Sequence, residues 1–336
     1  MAELAVILGL SGPVLTESER AFFRDANPWA FILFARNIET PKQVKKLCED
    51  IRGCVGRDCL IFVDQEGGRV QRLKTPHWPL YPAASKFGEL YTISPHLGRR
   101  ASYLAYRLIA DDLRAVGITA DCAPVLDLPQ ADADPIISDR AFSQEIDPAI
   151  DMANSCMAGL MNGGIAPVIK HIPGHGRATV DSHKALPVIS TSRELLEKTD
   201  FKTFQALKDA PMAMTAHAVY TSHSSTAVTV SKSALKSLIR DAIGFDGLVM
   251  SDDLDMKALK GTLTRKTERA LAAGCDVALQ CSGVLPDMVE VVKGAKNLEG
   301  KAKSRAAIAD YCAGMPLLFE RDEAEREFSL LMKQVL

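Results

Sequence analysis

Residues Leu248–Asp253 read LVMSDD, a continuous apolar run that ends in two carboxylates. Side chains of a strand point alternately to its two faces, so an unbroken apolar run is apolar on both. That pattern is typical of a parallel strand covered on both sides by other elements. The stretch therefore predicts a buried parallel strand whose carboxyl end carries acidic groups.

Seven further runs of the same kind extend this pattern along the chain. They are Leu4–Leu8, Ala30–Phe34, Leu60–Asp64, Ile118–Leu126, Ile165–His171, Met212–His217 and Val277–Cys281. The clearest helical stretches between the runs are Pro41–Ile51, Leu97–Val116, Pro148–Met161, Ser192–Ala210, Lys232–Ala242 and Lys266–Ala273. Strand-then-helix units repeated in this way predict a single (β/α)8 barrel of the TIM type. A doubly wound open sheet is the alternative, but Gly9–Pro13 lacks the glycine spacing typical of that fold.

Composition limits the classes of partner. The 336 residues contain 40 Lys and Arg against 42 Asp and Glu, a net charge of −2, so we expect neither nucleic acid nor a membrane as partner. The N-terminus lacks the basic region of a signal peptide, and the eight cysteines contain no CxxC pair. We expect a cytoplasmic monomer with reduced thiols. One catalytic barrel should occupy residues 1–336, with a C-terminal helical extension in Glu320–Leu336.

Polar side chains follow several of the predicted strands. In a (β/α)8 barrel the carboxyl ends of the strands and the loops after them form one rim, where the chemistry takes place. Asp64 to Arg72 follow strand three, Arg140 lies in the loop after strand four, and Lys170 and His171 end strand five. Successive strand residues face opposite ways, so only one of Asp252 and Asp253 should point into the barrel mouth.

The segment Lys170–His183, KHIPGHGRATVDSH, allows two interpretations. His171, His175, Asp181 and His183 are candidate metal ligands, although Pro173 and Gly174 argue against the helix that would align the first two. Alternatively, an extended chain would point Asp181 and His183 the same way, so that the carboxylate orients an imidazole able to give and take protons.

Three motifs in this order, VDQEGGRVQRL, KHIPGHGRATVDSH and MSDDLDM, resemble the family 3 glycoside hydrolases, and most of all their β-N-acetylglucosaminidases. The resemblance runs from strand one to strand eight and matches the compact, single-barrel bacterial form. It implies a retaining exo-β-N-acetylglucosaminidase that needs no cofactor or metal. The implied substrate is a small carbohydrate, the peptidoglycan fragment N-acetylglucosaminyl-1,6-anhydro-N-acetylmuramic acid, with or without its stem peptide.

The resemblance also implies roles for individual residues. Asp252 is the nucleophile, and His183 paired with Asp181 is the acid/base in place of the usual second carboxylic acid. The residues implied to bind the terminal sugar are Asp64, Arg72, Arg140, Lys170 and His171. Asp255 departs from the small or polar residue that relatives often carry, and we expect it to face the first turn of the following helix.

Other readings remain open from sequence alone. A metal-dependent hydrolase and a glycoside phosphorylase or other glycosidase on the same scaffold would each fit part of the pattern. A sugar-binding barrel without catalysis is a third alternative, but the presence of Asp252, Asp181 and His183 argues against it. We also predict that the loop 172–182, with its Pro and Gly residues, is mobile and brings Asp181 and His183 over the pocket when substrate binds.

Overall fold

A computed structural model describes residues 2–336. Eight parallel strands close into a barrel in chain order, with the last strand pairing with the first. The strands are β1 Leu4–Gly9, β2 Pro28–Ile32, β3 Ile61–Val63, β4 Ala120–Asp121, β5 Ala166–Ile172, β6 Met212–Thr215, β7 Leu248–Asp253 and β8 Val277–Gln280. The predicted (β/α)8 barrel is confirmed, with each strand inside or overlapping its predicted run.

Helices surround the barrel. They are α1 Glu17–Ala26, α2 Pro41–Val55, α3 Ala84–Ile93, α4 Pro95–Ala115, α5 Ile146–Asn162, α6 Arg193–Lys198, α7 Asp200–Ala206, α8 Lys232–Ala234, α9 Leu263–Ala273, α10 Leu285–Gly294, α11 Gly300–Cys312 and α12 Arg321–Met332. The α8 helix continues as a wider π-helix over Leu235–Ile243. Short 3₁₀ turns occupy Ala35–Asn37, Ser138–Arg140 and Val228–Val230, and a separate two-stranded parallel sheet pairs Val188–Ile189 with Val219–Tyr220.

Two predicted elements differ in their extent. The predicted helix Ser192–Ala210 is interrupted at Thr199, whose backbone leaves helical geometry (φ −126°, ψ −91°), and its side chain hydrogen-bonds Asp200 at 2.8 Å. Of the predicted strand Ile118–Leu126, only Ala120–Asp121 forms a regular strand. Pro124 has no N–H to give to a ladder, which limits regular pairing there.

The strand residues that fill the barrel are almost completely buried. Ile7, Phe31, Phe62, Ile169 and Met250 all have exposed fractions of 0%. They belong to one continuous hydrophobic core that also contains the inner faces of the helices. This burial on every side explains why the strands appear in the sequence as unbroken apolar runs.

Two strands carry an extra residue just where they reach the rim. Between β5 and β6 the pairing passes from Lys170 with Met214 to Ile172 with Thr215, so β5 advances two residues against one. Between β7 and β8 the pairing passes from Met250 to Asp253 while the partner strand advances only two residues. Such bulges change the direction in which side chains point.

Three further features of the fold are the packing of the C-terminal helix, the state of the cysteines and the character of the helices. The C-terminal helix α12 packs on α4, where Arg321 pairs with Asp111 and Asp112 at 2.8 Å and Arg100 binds Glu327 through two nitrogens. All eight cysteines carry free thiols. Within residues 2–336, none of the helices is both long and apolar enough to cross a membrane.

Candidate active site

A pocket of about 210 Å³ opens at the carboxyl ends of the strands. Its wall contains these predicted site residues: Asp64, Arg72, Arg140, Lys170, His171, His183 and Asp252. Apolar groups, among them Phe34, Met214 and Leu279, line the rest. A concave site with apolar walls and a few convergent polar groups is typical of small-molecule recognition.

Asp64, at the end of β3, lies between two cations. Its two oxygens accept hydrogen bonds from Arg72 and from Lys170 Nζ, both at 2.9 Å. Burial would raise the pKa of this carboxyl, but the positive charges of Lys170 and Arg72 outweigh it and hold that pKa well below its usual range. Asp64 is therefore an ionised acceptor held at a fixed position on the pocket wall.

Glu66 was not predicted as a site residue, yet it connects two that were. Arg140 donates two hydrogen bonds of 2.8 Å to the two oxygens of Glu66, and Lys170 Nζ lies 2.5 Å from Oε1. The Glu66 side chain is 3% exposed. Burial raises the pKa of Glu66, but the positive charges of Arg140 and Lys170 outweigh burial and lower that pKa to about 2. The sequence carried one signal that could have identified Glu66 as a site residue: it is an acid two residues after Asp64, at the end of a strand.

The turn that follows Glu66 requires glycine. Gly67 and Gly68 have φ of 93° and 55°, and a Cβ on Gly67 would lie 2.3 Å from the Pro82 carbonyl oxygen. The Gln65 side chain closes the same loop, since its Oε1 accepts from the N–H groups of Arg72 and Leu73. The VDQEGGRVQRL motif thus builds a compact loop that returns Arg72 to Asp64.

His171 is oriented by a second residue absent from the sequence prediction, Asp127. The Nδ1 of His171 lies 2.7 Å from the Asp127 carboxylate. The same carboxylate accepts hydrogen bonds from the backbone N–H groups of His171 and His175. Asp127 directly follows the apolar run Ile118–Leu126, the same signal that singled out other rim residues. The bulge in β5 explains how neighbouring Lys170 and His171 both reach the pocket.

Asp181 and His183 form a pair, though not in the predicted backbone geometry. Asp181 Oδ1 accepts from His183 N–H at 2.9 Å and lies 2.8 Å from His183 Nδ1. The backbone is not extended there, because Lys184 and Ala185 donate to the Asp181 carbonyl and form a turn. An Asp side chain that bonds the N–H two residues on stabilises such a turn. Hydrogen bonds to His183, above all from its backbone N–H, outweigh burial and lower the pKa of Asp181.

Asp252 and Asp253 both belong to the residues that line the pocket. The expectation that only one of the two side chains points into the barrel mouth stays a prediction. The extra residue in β7 removes the strict alternation of side chains. Their roles nevertheless differ. Asp253 Oδ1 accepts from the N–H groups of Asp255 and Cys281, which ties the end of β7 to the end of β8. Within residues 2–336, the one hydrogen bond that the Asp252 side chain accepts comes from the N–H of the next residue, Asp253, at 2.8 Å.

The electrostatic surroundings separate these two carboxyl groups as well. Burial raises the pKa of Asp252, but the imidazoles of His217 and His171 and the Asp253 N–H outweigh it, so the pKa is lowered. Burial and the nearby Asp255 raise the pKa of Asp253 to about 7. At neutral pH Asp252 is therefore ionised, whereas Asp253 is protonated in part.

Asp255 does not face the helix that follows, which corrects the sequence expectation. That helix, α9, begins only at Leu263 and is capped by Thr262. Asp255 Oδ2 instead accepts from Gln280 Nε2 at 2.9 Å and from Ser282 N–H at 3.1 Å. The residue thus joins the loop after β7 to the end of β8, next to Asp253.

The four candidate metal ligands of the histidine-rich segment are not assembled into one site. His171 binds Asp127, and Asp181 binds His183, so the residues divide between two pairs. His175 is 3% exposed and donates its backbone N–H to Asp127. Throughout the described part of the chain, groups of three or more His, Cys, Asp or Glu suited to a metal ion are absent.

The fold and pocket define a barrel enzyme with a carboxylate and an oriented imidazole at its rim, and comparison with known proteins gives its class. Residues 8–310 match the model of the glycosyl hydrolase family 3 N-terminal domain, so the chain belongs to this family and is a glycoside hydrolase. The resemblance noted in the sequence is thereby confirmed.

Individual relatives indicate which type of glycoside hydrolase this chain is. The chain is 35% identical over 308 residues to a β-hexosaminidase of Methylobacillus flagellatus, covering 90% of this chain and 87% of the relative. It is 36% identical to a β-hexosaminidase of Pseudomonas aeruginosa, covering 83% and 82%. The crystal structure of native NagZ from Neisseria gonorrhoeae superimposes with a TM-score of 0.86 at 28% identity, covering 100% and 97%. The chain is a glycoside hydrolase of the β-hexosaminidase type.

Proposed function

We propose that this chain is a retaining exo-β-N-acetylglucosaminidase that uses Asp252 as nucleophile and the His183–Asp181 pair as acid/base. One observation carries the proposal: Asp252 and His183 line the same pocket, where the pKa of Asp252 is lowered and His183 Nδ1 lies 2.8 Å from the Asp181 carboxylate. The β-hexosaminidase relatives support the reaction class.

The first chemical step forms a glycosyl-enzyme. An Asp252 oxygen attacks the anomeric carbon, the bond from that carbon to the leaving oxygen breaks, and protonated His183 gives its Nε2 proton to the leaving oxygen. Asp181 accepts a hydrogen bond from Nδ1–H, which leaves Nε2 as the position that exchanges protons. Because its pKa is lowered, Asp181 stays ionised and balances the imidazolium charge.

The second step releases the sugar. Neutral His183 takes a proton from water at Nε2, the water oxygen attacks the anomeric carbon, and Asp252 departs as a carboxylate. Two displacements at one carbon restore the β configuration. A histidine suits this double role, because an imidazole exchanges protons near neutral pH without the large pKa increase that a carboxylic acid needs.

The terminal sugar is recognised by the charged wall of the pocket. Asp64 accepts from two neighbouring hydroxyl groups, while Arg72, Arg140, Lys170 and His171 donate to hydroxyl groups and around the acetamide. These groups surround a small cavity, which favours a single terminal sugar over an internal one. The acetamide is bound and does not serve as nucleophile, since Asp252 has that role.

The proposed natural substrate is N-acetylglucosaminyl-1,6-anhydro-N-acetylmuramic acid, with or without stem peptide. Hydrolysis of this fragment by a cytoplasmic, monomeric enzyme would serve the recycling of cell-wall material. The resemblance of the three motifs to compact bacterial β-N-acetylglucosaminidases supports this substrate.

The first experiment measures nitrophenol release from 4-nitrophenyl N-acetyl-β-D-glucosaminide by wild type and Asp252→Ala, with chelator present and phosphate absent. We expect turnover by wild type and none by the variant. Equal turnover by both would show that another group is the nucleophile. If wild type were inactive until a metal or phosphate was supplied, the metal-dependent or phosphorylase reaction would replace this proposal. Binding without turnover under any of these conditions would indicate a sugar-binding barrel.

A further inference from the structure

Five charged side chains of alternating sign form a continuous chain beside the pocket. In order they are Arg72, Asp64, Lys170, Glu66 and Arg140, and we call them the charge chain. Successive members contact at 2.9, 2.9, 2.5 and 2.8 Å. Four of the five line the pocket, and Glu66 lies one layer behind them.

The Glu66 carboxylate contacts both of its neighbours in the charge chain, Arg140 and Lys170. Its two oxygens meet the planar Arg140 guanidinium through two parallel hydrogen bonds, and Oε1 also meets Lys170 Nζ. Bidentate pairs of this kind fix the orientation of the guanidinium as well as its position. The side chains of Glu66 and Lys170 are only 3% and 2% exposed, so their contact is shielded from bulk water.

The charge chain also divides the hydrogen bonds of the Lys170 ammonium between two carboxylates. Its ammonium lies between Asp64 on the sugar side and Glu66 behind. Without the rear carboxylate, Lys170 would be drawn towards Asp64, and fewer of its protons and fewer lone pairs of Asp64 would remain for sugar hydroxyl groups. Arg140 would lose both of its bonds to Glu66 and keep only the side-chain bond that it donates to the Ile136 carbonyl at 3.1 Å.

We propose that Glu66 is a positioning residue for sugar binding, which sets the places of Lys170 and Arg140 without contacting the sugar. This inference rests on the proposed sugar-binding site. Positioning of groups that contact the sugar equally before and during reaction affects KM and the affinity for N-acetylglucosamine, while kcat changes little. The acid/base pair lies in the loop after β5, outside the charge chain, and keeps its own hydrogen bonds.

The test compares wild type, Glu66→Gln and Glu66→Asp in three measurements. These are kcat and KM for the chromogenic glycoside, the dissociation constant of N-acetylglucosamine by calorimetry, and the pH profile of kcat. For Glu66→Gln we expect KM and the dissociation constant to rise together by about 10- to 100-fold, because bonds to charged partners are lost. We expect kcat to stay within about threefold and its pH profile to be unchanged.

Glu66→Asp keeps the charge but is one methylene shorter, so it cannot bond both cations at their present places. Its dissociation constant should lie between those of wild type and Glu66→Gln. It also keeps the question open to measurement if Glu66→Gln does not fold. Glu327→Gln is the matched control, because Glu327 makes a similar two-point pair with Arg100 on the helical surface. All constants of this control should equal those of wild type.

A purely structural role for Glu66 gives a different result. A partly unfolded variant loses active molecules, which lowers apparent kcat while KM and the dissociation constant stay at the wild-type values. That result, or wild-type affinity in a folded Glu66→Asp, would overturn the inference. An inactive wild type would instead contradict the proposed reaction, and the calorimetric comparison would still report on Glu66.

Discussion

Asp181 holds His183 by two hydrogen bonds that one carboxylate oxygen accepts, one from the backbone N–H and one from ring Nδ1. The two residues differ in their surroundings, since the Asp181 side chain is 11% exposed and that of His183 is 63% exposed. The carboxylate is thus fixed within the protein while the imidazole remains accessible. Ser182 between them accepts from the Ala258 N–H, which ties this turn to the loop after β7.

Replacing Asp181 with Asn should therefore impair proton transfer more than binding. The amide can still accept the backbone N–H, but it carries no charge to balance the imidazolium. We expect kcat to fall by about 10²- to 10⁴-fold, the range typical of general acid–base catalysis, with KM within a few-fold of wild type. Steady-state kinetics with the chromogenic glycoside measure this.

Asp246→Asn is the control for that change. Asp246 is exposed and pairs with Arg305, far from the pocket, and its loss should leave both constants unchanged. A loss of activity in Asp181→Asn that appeared only in KM would show that the pair binds substrate instead of transferring protons.

Substitution of the two adjacent aspartates, Asp252 and Asp253, should differ greatly in how far it lowers kcat. Asp252→Gly removes the nucleophile and should lower kcat by about 10³-fold or more. Azide should restore turnover by entering the space of the lost carboxylate and giving an α-glycosyl azide. Asp253→Asn should keep activity within about tenfold, because the amide oxygen still accepts from Asp255 and Cys281. Azide rescue of Asp253→Gly and not of Asp252→Gly would reverse the assignment.

Asp121 gives a prediction about stability against pH. It is completely buried on β4, accepts from the Gln65 N–H, and its Oδ2 has no hydrogen-bond partner within residues 2–336. Burial raises the pKa of Asp121 to about 7. The folded state therefore retains a proton that the unfolded state has lost between about pH 4 and pH 7. Over that range this group makes folding less favourable as pH rises, and above pH 7 its effect is constant.

Asn at position 121 has no such titration, so the difference between variant and wild type isolates the effect. We expect the free energy of unfolding of Asp121→Asn, relative to wild type, to increase from pH 4.5 to pH 8. The upper limit of the increase is about 4 kcal/mol, from a shift of about three pH units. Urea unfolding at several pH values measures it. A difference that did not depend on pH would mean that Asp121 is ionised in the folded protein at all these pH values.

The barrel could be predicted from sequence because its main physical cause is local. Each strand is covered on both faces, and this leaves an unbroken apolar run wherever it occurs, as in Leu248–Asp253. The break at Thr199 depends on a side-chain bond to Asp200, and the early end of regular pairing in β4 depends on a single proline. Such local competition changes the bounds of elements but not their order.

The site was less accessible to sequence reasoning, because its decisive contacts join distant residues. Glu66 is 74 residues from Arg140, and Asp127 is 44 residues from His171. Spacing identifies groups that reach the rim, but it does not indicate which carboxylate lies behind which cation. The bulge in β7 is likewise a product of pairing with β8, so alternation along one strand could not show that Asp252 and Asp253 share the pocket.

The loop 172–182 leads to the last prediction, since the structure gives its two halves different restraints. In the first half, Gln130 and Asp134 donate backbone N–H groups to the carbonyls of Gly176 and Ala178. The Tyr220 hydroxyl donates to the Gly174 carbonyl at 2.7 Å. The second half, from Thr179 onwards, is held by the Asp181 turn, by the bond from the Ala258 N–H to the Ser182 carbonyl at 3.2 Å, and at its end by the bond from the Val219 N–H to the Pro187 carbonyl. Its movement with substrate, as predicted from the sequence, should therefore be confined to about residues 179–187.

Hydrogen exchange followed by mass spectrometry tests this division. Peptides covering 179–187 should exchange faster than those covering 171–178, and N-acetylglucosamine should slow only the former. Tyr220→Phe removes one restraint and should speed exchange in 171–178, whereas Tyr103→Phe, which loses a bond to Asn162 elsewhere, should not. Equally slow exchange across both segments would mean that the loop carrying His183 is rigid. The acid/base pair would then be preformed, and substrate binding would not need to bring it into place.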